Sequence, residues 1–200
     1  MMGGLFSSPA WDAVTIWSLD LETGGLDARR DPILAVGLLP IRAGEIRLGE
    51  AWGSLVRPPA GAVIRPESVR AHQLVLGELE GAPPLEEVLP ELDVRLREGV
   101  LLVHVAALDV AFLRAAYRRE GRRWPSPPVI DTAALLRRQA RRASPDLPDG
   151  EPTLQLSAAR AAHGLPDYPA HDALSDALAA AELFLVLRAR LGARTLRDLR

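Results

Sequence analysis

Residues 13–22 of the chain read AVTIWSLDLE, and this stretch decides the fold. It is apolar on both faces through Leu19, as expected of a central strand buried between two layers. Its first polar side chains of consequence, Asp20 and Glu22, come at the C-terminal end. Positions i and i+2 of a strand project from the same face. The two carboxylates are therefore predicted to point together at a strand end, where open α/β sheets bind ligands.

The segments that follow this strand predict the rest of the sheet and its helices. Two further strands are expected at residues 33–41 and 45–56, joined by a short glycine-containing link that suits a hairpin. After a stretch rich in proline and glycine, helices and short strands alternate: a helix at 85–98, a strand at 100–105, a helix at 108–120, a strand at 129–131, a helix ending near 142, and helices at 154–163 and 172–191. This order predicts an α/β fold with a mixed five-stranded sheet, an antiparallel meander followed by parallel strands, and helices on both faces.

Length and composition predict one domain. The chain has 200 residues, of which 48% are hydrophobic, enough for one sizeable core. We expect a single domain at residues 11–192, with loose termini at 1–10 and 193–200. The first ten residues lack the features of a signal peptide, and the longest apolar run, 100–113, is interrupted by His104 and Asp109. A cytoplasmic protein that does not enter the membrane is therefore expected.

The residue types that are missing exclude several kinds of chemistry. The chain has no cysteine and no lysine, so all 24 basic residues are arginines. Thiolate metal sites, Cys nucleophiles, P-loop lysines and Schiff bases are therefore excluded. A net charge of −2 argues against a protein that coats nucleic acid by bulk electrostatics, while a nucleic-acid enzyme with a local site remains compatible.

Two further acids interrupt apolar helical stripes. Asp109 falls on the same face as Phe112, Leu113 and Ala116, and Asp176 is the charged member of a stripe that is otherwise apolar. A lone buried carboxylate costs several kcal/mol unless it is paired or binds a metal. Pairing with a buried arginine or capping a helix explains each Asp equally well by itself, and Asp172 is the better candidate for the cap of the last helix. Together with Asp20 and Glu22, however, the two acids point to one metal centre.

Three segments carry a resemblance to a known family. The stretches SLDLETGGLD (18–27), HVAALDVAFL (104–113) and HDALSDA (171–177) resemble, in order and spacing, the three motifs of the DEDDh 3′→5′ exonucleases. This family includes the proofreading epsilon subunit of bacterial DNA polymerase III. The similarity runs from about residue 14 to residue 187 and includes VIDTAALLR at 129–137. It implies a ribonuclease H-like fold, in agreement with the predicted sheet.

The resemblance also implies the roles of individual residues. The metal ligands would be Asp20, Glu22, Asp109 and Asp176, holding two Mg²⁺ or Mn²⁺ ions, and His171 would act as the general base. Substrate contacts are implied by position at five residues, namely Leu21, Thr23, Gly24, His72 and His104. The reaction would release nucleoside 5′-monophosphates from the 3′ end of single-stranded DNA, in proofreading, repair or processing.

The sequence departs from the family pattern at three positions that are not ligands. Gly24 stands where the first motif usually has a second Thr, Val105 where the second motif usually has Asn, and Leu108 where it usually has Phe. None of these changes removes a metal ligand or the base. Val105 is expected to weaken a contact that supports the site or the substrate, so the reaction type is better specified than the substrate.

Several alternatives stay open from the sequence. A 3′→5′ exoribonuclease of the same family has the same motifs, and a catalytically silent nucleic-acid-binding module would keep the fold, although retention of the four acids and His171 argues against it. The chain ends about nine residues past the last helix, so the extension through which epsilon-type subunits hold their polymerase is not expected. Two arginine runs are compatible with phosphate contacts, but solvated helix faces explain them more often. These runs comprise Arg118, Arg119, Arg122, Arg123 and Arg137, Arg138, Arg141, Arg142.

Overall fold

The computed structural model describes residues 8–72, 74, 76–143 and 152–200. Its central feature is a mixed sheet, and the strand that begins the sheet is the AVTIWSLDLE stretch. The strands are β1 Ile16–Thr23, β2 Ile33–Arg42, β3 Glu45–Ile46, β4 Trp52–Leu55, β5 Val100–Val103 and β6 Val129–Asp131. The sheet order is β3-β2-β1-β5-β6, with β4 also paired to β2.

The pairing directions match the sequence prediction. β1 pairs antiparallel with β2 and parallel with β5, and β5 pairs parallel with β6. β1 therefore lies in the middle of the sheet, which explains why its side chains are apolar on both faces. Its C-terminal end, which carries Asp20 and Glu22, extends beyond the part of β1 that pairs with β5.

The third predicted strand, at 45–56, is interrupted. A 3₁₀ helix at Leu48–Glu50 divides it into β3 and β4, which pair with successive parts of the long strand β2. The sheet is therefore five strands wide, as predicted, although it contains six strands. The three residues of the 3₁₀ turn contain no buried side chain, so no packing holds this part of the chain in the sheet.

Seven helices occur in the described part of the chain. They are α1 Pro66–His72, α2 Leu76–Glu80, α3 Leu85–Arg97, α4 Ala106–Arg119, α5 Thr132–Ala143, α6 Leu156–Ala162 and α7 Ala173–Leu191. The short helices α1 and α2 were not predicted. The predicted N-cap of α7 is confirmed, because Asp172 accepts a hydrogen bond from the Ser175 N–H at 2.9 Å. Gly192 ends the same helix in the left-handed conformation, with φ 64°, as expected of a C-cap glycine.

Helices cover both faces of the sheet, and each face has its own core. On one face, α5, α6 and α7 pack against residues such as Ile16, Leu39 and Leu102. On the other face, α3 and α4 pack against residues such as Leu19 and Leu101. The alternation of side chains along β1 thus assigns each residue to one of two helical layers. The predicted fold class is confirmed.

The C-terminal residues differ from the expectation. Residues 193–200 were expected to be loose, but Leu196 and Leu199 are buried, and a 3₁₀ helix at Leu196–Leu199 begins with a capping box at Thr195. A bridge between Ala10 and Thr195 joins the two ends of the described chain. Residues 143–152 have the composition of a surface loop, and most of them lie outside the described residues. None of the described helices has the length and apolar character needed to cross a membrane.

Candidate active site

The carboxylates at the end of β1 face helix α7. Ser18, Asp20 and Glu22 alternate onto one face of the strand, and the Ser18 hydroxyl donates to the Ala177 carbonyl of α7 at 2.7 Å. Since this contact is buried, it ties the strand and the helix together directly below the two acids. The first turn of α7 is thereby held beside Asp20 and Glu22.

A glycine on the neighbouring strand permits this close approach. Gly37 of β2 lies opposite Asp20 in the sheet register. A Cβ at this position would come within 2.2 Å of the backbone carbonyl group of Ala173, the first residue of α7. Because that neighbour is backbone and not a movable side chain, only glycine lets the N-terminus of the helix rest on the sheet here.

The first turn of α7 directs Asp176 toward β1. Its carboxylate accepts the backbone N–H of His171 at 2.8 Å and the Tyr168 hydroxyl at 2.5 Å. The Asp176 N–H itself donates to the Asp172 carbonyl at 2.8 Å. Asp172 is the N-cap residue of α7, so Asp176 does not occupy that position.

Asp20, Glu22 and Asp176 form a group of carboxylates. One oxygen from each lies within 4.8 Å of the others, and all three side chains are half-buried. Burial, followed by the nearby charges of Asp109 and Asp176, raises the pKa of Asp20 well above its usual value. Burial, followed by Asp176 and Asp172, raises the pKa of Glu22 to about 7. Every charge found to act on these two groups is negative.

Such a site fits divalent cations. Carboxylates that repel one another are costly to ionise together, and a cation with oxygen ligands would neutralise them. Oxygen ligands of this kind are what Mg²⁺ and Mn²⁺ prefer. Within the described residues, no arginine forms an ion pair with any of the three acids, so the alternative of an internal arginine partner is not observed.

Asp109 approaches the same strand end from the other face of the sheet. It lies on α4 beside Phe112 and Leu113 and is only 5% exposed, as its position on the apolar stripe predicted. Of the charged neighbours of Asp20, Asp109 has the largest effect in raising its pKa. Burial is the main cause that raises the pKa of Asp109 to about 8. Asp109 is outside the group of three oxygens, but it interacts electrostatically with both Asp20 and Glu22.

The turn before α4 is strained at Val105. This residue precedes the helix with φ 64°, a left-handed conformation that is unfavourable for a β-branched side chain. Its N–H donates to the Asp131 carboxylate at 3.0 Å, which holds the turn in place. An Asn, the usual residue of the family here, adopts this conformation at lower cost. The departure at Val105 therefore affects the backbone as well as a side-chain contact.

His171 lies at the start of α7 and is exposed. It is also in the left-handed region, with φ 69°. Its backbone N–H is bound to Asp176, so the residue is tied to the carboxylate group through its main chain. The main chain of His171 is thus beside the group, and its side chain is accessible to solvent.

The predicted substrate residues occupy different environments. Leu21 is 8% exposed and packs toward α4. The Thr23 hydroxyl donates to the Gly25 carbonyl at 2.7 Å. Gly24 is buried, and a Cβ there would lie 2.7 Å from Cδ of Pro32, which explains why no Thr stands at this position. The side chain of His72 lies outside the described residues.

His104 differs from the expectation. Its two ring nitrogens lie 2.7 Å from the Thr132 hydroxyl and 2.5 Å from the Leu154 carbonyl oxygen. Burial is the main cause that lowers its pKa. Both nitrogens are committed within the protein, so the ring has none left for a substrate. We therefore leave His104 out of the proposed substrate contacts.

Tyr168 is a residue of the site that sequence reasoning missed. Its hydroxyl binds Asp176, and its ring lies 4.9 Å from the guanidinium carbon of Arg160. Arg160 is 2% exposed and forms an ion pair with Glu182 at 2.7 Å. Burial, and then the hydrogen bond to Asp176, raise the pKa of Tyr168, so the hydroxyl keeps its proton and remains a donor. The only signal in the sequence was a tyrosine three residues before His171.

Comparison with known proteins identifies the family of the chain and several of its relatives. A model of the exonuclease family RNase_T matches residues 17–184. A bifunctional exonuclease/endonuclease protein of Mycobacterium tuberculosis is 34% identical over 180 residues, which are 87% of this chain and 26% of that protein. The PolC-type DNA polymerase III of Thermotoga maritima is 34% identical over 118 residues, 58% of this chain and 8% of the polymerase.

Solved structures share the fold. Exonuclease I of E. coli in complex with a dT13 oligonucleotide superposes with a TM-score of 0.76 at 18% identity, over 90% of this chain and 42% of that one. A moderately thermophilic Exonuclease I from Methylocaldum szegediense gives a TM-score of 0.76 at 20% identity, over 90% of this chain and 41% of that one. The chain thus spans about a quarter of the first relative and less than half of these Exonuclease I chains.

Proposed function

The chain belongs to the DEDDh exonuclease family of the ribonuclease H-like superfamily, and we propose that it hydrolyses phosphodiester bonds from the 3′ end of single-stranded DNA. The products would be nucleoside 5′-monophosphates. The observation that carries this proposal is the group formed by Asp20, Glu22 and Asp176, whose oxygens lie within 4.8 Å of one another without a neutralising cation among the described side chains.

Four carboxylates would hold two divalent ions, Mg²⁺ or Mn²⁺. Asp20, Glu22 and Asp176 supply ligands from the α7 face of β1, and Asp109 supplies one from the α4 face. When bound, the ions would promote attack of water at phosphorus and stabilise the departing 3′ oxygen. The protein contributes the rigid placement of the ligands, through the Ser18 hydrogen bond and the contact at Gly37.

His171 would accept the proton of the attacking water. Its exposed side chain can exchange protons with solvent, and its backbone hydrogen bond to Asp176 keeps it close to the carboxylates. The left-handed backbone at this residue turns the chain sharply just before α7 begins. The terminal nucleotide would lie against the strand end formed by Leu21, Thr23 and Gly24, with His72 as a further contact.

Single-stranded DNA is the proposed substrate because structural neighbours are Exonuclease I chains in complex with dT13 and other oligonucleotides. Proofreading or repair is the setting that we propose, because the relatives include segments of PolC-type DNA polymerase III. A polymerase partner belongs to the same proposal. RNA remains the substrate of the alternative, an exoribonuclease of this family.

The proposal is tested with three substrates labelled at the 5′ end: single-stranded DNA, duplex DNA with a mismatched 3′ end, and RNA, each with Mg²⁺ or Mn²⁺. We expect shortening from the 3′ end, with single-stranded DNA as the best substrate. Asp20→Ala should reduce the rate by about a thousand-fold, and His171→Ala by about a hundred-fold. Asp12→Ala, at an exposed acid outside the site, is the matched control and should retain the wild-type rate.

The outcomes separate the alternatives. Faster shortening of RNA than of DNA would favour the exoribonuclease, and binding without shortening would favour the silent module. Equal residual activity in the wild type, Asp20→Ala and His171→Ala would show a contaminating nuclease. A preference for the mismatched end over the same duplex with a matched 3′ end, added as a fourth substrate, would support proofreading.

A further inference from the structure

A groove with arginines on its walls begins beside the carboxylates. Its volume is about 880 Å³, and three segments line it: the loop after β1, the start of α1, and the exposed face of α4. Two of the lining residues are close in sequence to the acids of the site. They are Gly25, three residues after Glu22, and Leu108, next to Asp109. The groove therefore lies next to the end of β1 where the catalytic chemistry is proposed, and the four carboxylates themselves are outside its lining.

One face of α4 forms the floor of this groove. Ala107 and Ala111 lie near the carboxylates, and Arg114 and Arg118 follow on the same face toward the far end. At 1.5 Å per residue, Arg114 lies about 7.5 Å and Arg118 about 13.5 Å along the helix axis from Asp109. The side chains on this face are small near the site, and the long arginine side chains lie farther away. The face therefore leaves room for an extended ligand that lies along the helix.

Four arginines and two acids, Asp27 and Glu67, line this groove, and some of these charges have partners: Arg65 pairs with Asp31 and Asp27 with Arg30. Among the described residues, Arg29, Arg114 and Arg118 form no ion pair and no side-chain hydrogen bond. Arg119, the next residue of the helix, instead donates to the carbonyls of Asp31 and Ala28 and thereby holds the loop. The helix thus has one arginine with a structural contact beside two that lie free along the groove.

The groove also presents apolar surface. Leu26 is 79% exposed and Leu108 is 38% exposed, and both line the groove near the carboxylates. Cations along a groove can follow the phosphates of a single strand, and apolar side chains beside them can contact its sugars and bases, although the groove has no aromatic side chain on which a base could stack. A small anion would use the cations alone and would leave the apolar part of the groove without a role.

We propose that this groove binds the single strand immediately upstream of the 3′ end, with Arg114 and Arg118 contacting successive backbone phosphates. The proposal rests on the proposed function, which places the 3′ end at the carboxylates. Leu26 and Leu108 contact the sugars and bases nearest the scissile bond. Because the cations read the backbone and not base edges, binding is independent of sequence.

A second group of arginines provides the control. Arg138, Arg142, Arg194 and Arg197 line a cavity of about 370 Å³ at the other end of α7. Asp176 and Leu191 are separated by about 22 Å along that helix. Arg142 donates to the Leu191 carbonyl at 2.9 Å and so satisfies the end of the helix. Arg194 and Arg197 are exposed, so replacing both removes the same charge far from the groove.

The test compares Arg114→Gln/Arg118→Gln with the control Arg194→Gln/Arg197→Gln. KM is measured for oligo(dT) substrates from 2 to 12 nucleotides. In the wild type, KM should fall as the strand lengthens into the groove. In the groove variant, KM should fall much less with strand length, so that the KM for the 12-mer divided by the KM for the dinucleotide is about ten-fold higher than in the wild type. The control should keep the wild-type ratio.

Salt dependence supplies a second readout. The slope of log(kcat/KM) against log salt for the 12-mer should become shallower by about 1.4 in the groove variant, since each phosphate contact to a single strand contributes about 0.7. Arg114→Lys/Arg118→Lys keeps the charge and should restore most of the slope. Equal changes in the groove and control variants, or a loss that does not depend on strand length, would overturn the proposal.

Binding in the presence of a chelator separates this proposal from the proposed function. Fluorescence anisotropy with a labelled dT12 strand in EDTA requires no cleavage. Weaker binding by the groove variant than by the control supports the groove even if the protein cleaves no strand. Equal binding by both variants and the wild type overturns it even if the protein is an active exonuclease.

Discussion

Asp109 and Asp93 are both buried carboxylates on helices that cover the same face of the sheet, yet their surroundings are opposite. Asp109 on α4 is 5% exposed, and Asp93 on α3 is 8% exposed. Asp109 belongs to the acidic cluster, which comprises Asp20, Glu22, Asp109 and Asp176. Asp93 belongs to an ion-pair cluster, in which its carboxylate contacts Arg122 at 2.7 Å and Arg97 at 3.4 Å.

The pKa values of the two groups move in opposite directions. Burial is the largest influence on both and acts to raise them. In Asp109, acidic neighbours add to this effect, and the pKa rises to about 8. In Asp93, hydrogen bonding, above all from Arg122, outweighs burial, and the pKa falls below its usual value. Burial of a carboxylate is thus not by itself a sign of function.

The difference lies in what neutralises the charge. The protein neutralises Asp93 itself, so that carboxylate contributes to the stability of the fold. The acidic cluster has no such partner among the described residues, and we propose that cations from solution neutralise it. Four experiments test this distinction, beginning with the largest expected effect.

Asp93→Asn should lower the free energy of unfolding by about 3 kcal/mol, because it leaves the guanidinium of Arg122 without its buried partner. Urea denaturation of the metal-free protein measures this loss. Asp12→Asn, at an exposed acid, should change the free energy by less than about 0.5 kcal/mol. If the two variants are equally stable, the arginines do not stabilise the fold through Asp93.

Mn²⁺ should stabilise the wild type, because an ion that binds only the folded state adds to its stability. At one hundred times the dissociation constant, the gain is about 2.7 kcal/mol. Thermal unfolding with Mn²⁺ or EDTA measures it. Asp93→Asn should keep the whole response and Asp20→Asn should lose it. A full response in Asp20→Asn would place the metal elsewhere and remove the contrast between the two clusters.

Tyr168→Phe should weaken Mn²⁺ binding by about ten-fold, because the lost hydroxyl no longer orients the Asp176 carboxylate. Titration calorimetry reports the affinity without any need for activity. Tyr117→Phe is the matched control, since Tyr117 is buried on the α3 and α4 side and belongs to the surroundings of Asp93. Tighter binding in Tyr168→Phe would instead mean that the tyrosine competes with the ion.

In EDTA, the contributions of the two clusters to the free energy of unfolding should change in opposite directions with pH. Glu22 and Asp109 have raised pKa values of about 7 and about 8, so their contribution to stability is full below their usual values and is lost as pH rises toward 8. Asp93 has a lowered pKa, so its contribution is full above its usual value of 3.8 and is lost as pH falls.

Each titrating proton changes the unfolding free energy by at most about 1.4 kcal/mol per pH unit. Urea denaturation of the wild type, Asp20→Asn and Asp93→Asn at several pH values measures both slopes. Asp20→Asn should flatten the fall between pH 5 and 8, and the difference between the wild type and Asp93→Asn should shrink only in acid. Parallel curves for all three proteins would contradict the assignment.

The sequence predicted the parts of the site that depend on local periodicity. Alternation along β1 placed Asp20 and Glu22 on one face, and the helical stripe of α4 placed Asp109 in the interior. The cap at Asp172 was also predictable, because capping is a contact between neighbours in the chain. The short helices α1 and α2 and the packing of residues 193–200 were missed, since these segments have few residues over which a period can be recognised.

The helical stripe, however, does not distinguish Asp109 from Asp93. Asp93 lies among Leu89, Leu92 and Leu96, so its sequence surroundings are those of a buried acid as well. Its main partner, Arg122, is 29 residues away, in the segment that follows α4. The charge partners of a buried acid are therefore a property of the folded chain.

By itself, then, the sequence determined the fold class, the order of the motifs and which face each carboxylate occupies, because strand and helix periods are set by the local backbone. The tertiary structure alone decided that α7 rests on Gly37, that Tyr168 binds Asp176, and that Arg122 neutralises Asp93. Each of these is a contact between side chains or backbones from separate elements. Its distance depends on how the layers pack, and no local pattern in the chain records that packing.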